Sequence, residues 1–101
     1  MANHLHQRFP VGAVVKLAKP CMGNPAGSLA FVYENYRLGA SRQGISLLFA
    51  NGKYDGFGPE CVALFGLTLV RIESTLQDYQ FSNVGQLDID RQRKVFAPAF
   101  A

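Results

Sequence analysis

Two cysteines, Cys21 and Cys61, and two histidines, His4 and His6, are the whole supply of thiols and imidazoles in the 101 residues. A structural zinc site needs about four converging ligands, often in closely spaced pairs. No such pair is present, and both histidines sit near the N-terminus, where they read as decoration of a frayed end. No metal or cofactor is expected. Nucleophilic catalysis meets the same shortage. Cys61 follows Pro59-Glu60 at what reads as a helix start, where a thiol pKa can fall, but no histidine lies near it in sequence to act as base. It reads as a small buried hydrophobe. Asp55 and Glu60 stand on either side of a turn and could approach each other as an acid–base pair. Their ordinary roles are turn stabilisation for Asp55 and first-turn helix charge for Glu60. The chain is therefore expected not to be an enzyme.

Binding is the remaining chemistry. Residues 1–53 hold six cations, Arg8, Lys16, Lys19, Arg37, Arg42 and Lys53, against one acid, Glu34, whereas residues 54–101 hold six acids and four cations. A nucleic-acid face would need those cations on one surface, interleaved with stacking aromatics such as Tyr33, Tyr36 and Tyr54. Scattered solubilising charges are the plainer reading. Arg91, Arg93 and Lys94 read as one solvated helix face balanced by Asp88 and Asp90.

Composition bounds the elements that must carry these residues. Apolar residues make up 49% and charged residues 17%, well below the roughly 25% charge of an average soluble chain, which argues for a packed core and against disorder. One domain over residues 1–101 is expected. MANHLHQRFP lacks the cationic start and the run of roughly 7–15 apolar residues of a secretory signal. The longest apolar stretch, Cys61 to Val70, is interrupted by Gly66 and Thr68 and is about half of what a membrane helix needs. A cytoplasmic protein with reduced thiols and no membrane association is expected.

Gly and Pro clusters divide the chain into segments of strand length. Ala13 to Ala18 alternates, with Lys16 toward water and Val15 and Leu17 toward the core. Ser28 to Arg37 sets Leu29, Phe31 and Tyr33 on one face and Ala30, Val32, Glu34 and Tyr36 on the other. Ile45 to Ala50 runs into Asn51-Gly52, a strong two-residue hairpin signal, which pairs it with Lys53 to Phe57. Pro59 to Phe65 predicts a single helical turn, and Leu67 to Ile72 a last strand. Val84, Leu87, Arg91 and Val95 fall at steps of three and four, predicting a helix capped by Ser82 or Asn83 and stopped by Pro98.

That order of elements, and above all Gly44 to Val62 with its strand, Asn-Gly turn, aromatic strand and Pro-Glu turn, resembles small bacterial Src-homology-3-like barrel proteins. The tail Tyr79 to Leu87 is similar to a closing element of small bacterial proteins, including some carried on mobile gene cassettes. The resemblance implies a mainly β fold: a five-stranded Src-homology-3-like barrel over about residues 10–73, and an extension with a C-terminal helix over about 74–101. The chain departs from the proline-peptide readers of that fold, whose groove is walled by tryptophan, because it has none.

The function expected on this basis is a non-enzymatic interaction module for a protein or peptide partner. Its ligand face lies between loops 19–27 and 37–44, with Met22, Asn24, Tyr36, Arg37, Arg42, Tyr54 and Phe57 as its members. The alternatives are a nucleic-acid-binding barrel and, further off, an oligomeric enzyme with a site at a subunit interface. Val95 to Ala101 is uncharged and carries Phe96 and Phe100, so it is expected to cover an open edge of its own barrel or to pack on a second copy as a homodimer.

Overall fold

A computed structural model describes residues 4–39 and 42–101. Five strands form one antiparallel sheet: β1 (Ala13–Lys16), β2 (Leu29–Arg37), β3 (Gln43–Phe49), β4 (Tyr54–Phe57) and β5 (Thr68–Ile72). Their order across the sheet is β4-β3-β2-β1-β5. Among the described residues no ladder joins β4 to β5, so the sheet is not closed. Short helices α1 (His4–Arg8) and α2 (Pro59–Leu64) flank the strands. A C-terminal segment adds α3 (Val84–Gln92) between 3₁₀ turns at Ser74–Leu76 and Ala97–Phe100. The five predicted strands are all present, with ends shifted by one or two residues.

Alternation along a strand sends successive side chains to opposite faces, and here both faces are apolar. Val15, Leu17, Ala30, Val32, Ile45, Leu47 and Phe49 pack with Leu5 and Phe9 from the N-terminal segment and with Val62 of α2. Val14, Phe31, Tyr33 and Leu48 form a second core under Leu76, Leu87, Phe96 and Ala99. The uncharged tail thus settles on the second face of its own sheet, not on an edge. Phe96 lies 5.0 Å from Phe31 and 4.9 Å from Tyr79, centroid to centroid, and Arg71 Nη2 donates to the Pro98 carbonyl at 2.7 Å. Each such buried aromatic or leucine is worth roughly 1.5–3 kcal/mol.

Two expectations about β2 and the β3–β4 hairpin need correction. Val32 pairs with Leu47 but Glu34 pairs with Ser46, so Tyr33 is an extra residue in the ladder. This bulge reverses the alternation beyond it. Glu34 joins the face of Tyr33, where Ser46 Oγ donates to its carboxylate at 3.0 Å, and Tyr36 follows to that face instead of lying with Val32. The hairpin loop has three residues, not two. Gly52 N donates to Phe49 O at 2.9 Å, Phe49 N to Lys53 O at 2.9 Å, and only Gly52, at φ +88, is left-handed. A type I turn closed by a left-handed glycine is the usual form at this length.

Helix α3 begins as expected, with Asn83 accepting from Gln86 N at 2.8 Å. It ends earlier than Pro98. Lys94 N donates to Arg91 O and Val95 N to Asp90 O, both at 3.0 Å, which is a Schellman motif with Lys94 at φ 63 in the left-handed position. Helix α2 closes with the same pair of bonds, at 3.1 Å each, but with Gly66 in that position. A left-handed side chain costs roughly 1–2 kcal/mol, partly offset by glycine's greater freedom in the unfolded chain. Lys94→Gly is therefore expected to stabilise the protein by about 1 kcal/mol in urea denaturation; no gain would mean that the Lys94 side chain supplies a compensating contact.

The second core also makes stability depend on alkaline pH. Burial pushes the Tyr33 hydroxyl up to about 12, and burial together with its 2.7 Å bond to Asp90 raises Tyr79 as well. An unfolded tyrosine titrates near pH 10. The folded state thus retains protons that the unfolded state has lost, so stability is full below about pH 10 and falls as pH rises toward 12. Denaturation midpoints at pH 8 and 11 should show this decline, and Tyr33→Phe with Tyr79→Phe should flatten it.

Candidate functional site

The bulge that turns Tyr36 also gives it a platform. Tyr36 pairs with Gly44 across the ladder, and its ring occupies the space where a Gly44 side chain would stand. A Cβ on Gly56 of β4 would come within 2.9 Å of the Tyr36 hydroxyl. The aromatic ring thus covers two glycines on neighbouring strands. Burial raises the Tyr36 hydroxyl pKa, and the Asp55 charge adds to it.

Helix α1 is fastened beside this pair. His6 Nε2 lies 2.9 Å from Gly44 O and 3.1 Å from Tyr36 O. Both partners are acceptors, so that nitrogen carries the proton. Asn35 Nδ2 donates to Phe9 O at 3.0 Å, and Leu5 and Phe9 are buried. His6 is therefore docked, not part of a frayed end; the His4 side chain lies outside the described residues. The Arg8 guanidinium sits 4.9 Å above the Phe9 ring. Across from α1 stands α2, with Pro59 in its first turn and Val62 in the core. The left-handed Gly66 that ends α2 packs so closely on Ala18 that a Cβ would fall 2.6 Å from the alanine's own.

Between these elements runs a groove of about 830 Å³. Leu5, Val62 and Leu67, all nearly inaccessible, form an apolar base. Tyr36, Leu38, Arg42 and Gln43 border it from the β2–β3 end, Arg8 from α1, and Glu60 and Cys61 from α2. Leu38 is 57% exposed, an apolar side chain held at the opening. Asp55 lies within β4, opposite Leu47, and not in the turn expected of it; its carboxylate accepts from Gly56 N at 2.8 Å, and Glu60 stands in the first turn of α2 as expected. Among the described residues, no three His, Cys, Asp or Glu side chains converge as metal ligands, and no helix is long and apolar enough to cross a membrane.

Of the seven residues expected to share one face, the structure brings two to this groove, Tyr36 and Arg42. Arg37 ends β2 in register with Gln43 and is exposed outside the groove lining. Phe57 is buried in the core between Phe49 and Phe65, at centroid distances of 6.1 and 5.8 Å. Asn24 is buried and spends its amide on Cys21 O at 3.2 Å and Met22 O at 3.3 Å. Met22, left-handed at φ 50, and Gly23 form the tip of a tight turn closed by the Cys21–Asn24 bridge. That tip is tied to the β3–β4 loop by Asn51 Nδ2, which donates to Met22 O at 3.0 Å. Loop 19–27 therefore does not reach the groove. Tyr54 is half exposed on the second face, beside Val84 and Arg91 of α3. Residues 40 and 41 of loop 37–44 lie outside the described residues.

Sequence reasoning missed Arg8, Leu38 and the groove's α2 wall. Leu5 and Phe9, four apart and followed by Pro10, are the signal that a short helix could dock there. No protein-family model matches the chain, and neither a curated protein nor a solved structure does so.

The glycine platform yields a paired test. Gly44→Ala forces the Tyr36 ring off the sheet and should cost about 1–3 kcal/mol, the usual range for overpacking. Gly58→Ala meets only an ordinary 3.5 Å contact with Glu60 and, as the N-cap of α2, should cost less than about 1 kcal/mol. Chemical denaturation of the two variants checks the contrast.

Proposed function

We propose that the protein is a non-enzymatic binding module whose ligand lies in the groove between α1, the β2–β3 end and α2. The observation that carries this reading is the junction of an apolar base with a preorganised tyrosine and an exposed leucine. Most small-ligand and peptide sites combine those features: a mostly apolar concavity and a few fixed polar groups that orient what enters. The reading also keeps the Src-homology-3-like barrel as its architecture. Support for that comes from the meander order β4-β3-β2-β1-β5 and from the helical turn between β4 and β5.

Capture of a partner from the native host by the tagged full chain tests the site. Tyr36→Ala and Arg42→Ala should each lose the partner, whereas Tyr54→Ala, outside the groove, should retain it. Equal capture by all three variants would overturn the assignment.

A further inference from the structure

We infer that the groove takes an extended peptide segment in which an Asp or Glu side chain stands next to an apolar one. This rests on the groove being the ligand site. Arg8 and Arg42 border it from two different elements, and neither has a carboxylate within 4.0 Å among the described residues. Arg71 and Glu73, by contrast, pair with each other at 3.4 Å. Among the described residues, the two groove guanidinium groups thus present charge that no carboxylate pairs directly. A guanidinium fork takes a carboxylate through two parallel bonds, the strongest recognition such a site can offer.

Arg8 is also preorganised. Its head lies over the Phe9 ring, and its helix is locked by the two bonds of His6, so less side-chain freedom is lost when a ligand arrives. The groove that carries these cations has an apolar base, which suits a leucine-like neighbour of the acid. Glu60, on the α2 side, repels a carboxylate and so sets the direction in which the segment lies, acid toward α1 and the β2–β3 end.

A nucleic-acid strand fits these features poorly. It needs a track of cations and successive stacking aromatics, whereas the groove has one tyrosine, already packed on Gly44 and Gly56, and an acid in its wall.

Panning a phage-displayed library of random heptapeptides against the full chain tests the inference, with each selected peptide remade and its affinity measured. Peptides bearing Asp or Glu beside Leu, Ile or Phe should emerge. Arg8→Ala and Arg42→Ala, at exposed positions, should each weaken them about tenfold. Panning the Arg8→Glu, Arg42→Glu double variant should enrich Lys and Arg peptides in their place. Selected peptides that lack acids, yet lose binding on Tyr36→Ala, would overturn the acidic ligand and leave the groove standing. Selections with no dependence on Tyr36 would overturn both. Tighter binding of a fluorescein-labelled single-stranded oligonucleotide than of any peptide would overturn the peptide class.

Discussion

The constraint on which this structure depends is that its central strands are apolar on both faces. A sheet with one wet face can stand on a single core, but β1, β2 and β3 expose neither Val15, Val32 and Leu47 nor Val14, Phe31 and Leu48. Each face must therefore be covered by chain from outside the sheet. The two short helices cover one, and the tail from Leu76 to Ala99 covers the other. This need explains how a chain with so little charge keeps its aromatics from water: Phe96 and Tyr79 are spent on Phe31, inside the molecule.

The same requirement creates the groove. Covering the first face brings α1 against β3, but two helices of five and six residues are too small to seal that end of the sheet. What remains open is the space between them, with Leu67 as part of its base and Tyr36 on its border. Tyr36 owes its place to the extra residue at Tyr33 and to the absence of side chains at Gly44 and Gly56. The packing of the sheet and the border of the groove are thus joined at one residue pair, because the carbonyls of Tyr36 and Gly44 also hold His6 and, through it, the helix that carries Arg8.

The two helix stops show how the backbone meets different needs with one motif. At Gly66 a side chain would collide with Ala18, so glycine answers both the left-handed conformation and the close approach. At Lys94 the same left-handed geometry falls on a lysine, which carries its strain.

What the sequence by itself determined was local. Alternation over Leu29 to Tyr33, the turn-forming Asn51-Gly52, the Pro59 helix start and a cap at Ser82 or Asn83 could be read directly, since each is a preference of a few adjacent residues for one backbone conformation. The tertiary structure alone decided where those pieces went. The bulge at Tyr33 carries no residue signature, yet it moved Glu34 and Tyr36 to the other face. Helix α1 is too short to be stable by itself and exists because Leu5 and Phe9 find a core and His6 finds two carbonyls. Phe57 went inside, and loop 19–27 was drawn to the β3–β4 turn and away from Tyr36. A site assembled from α1, β2, β3 and α2 is a matter of which distant surfaces can be packed together, and no spacing along the chain records that.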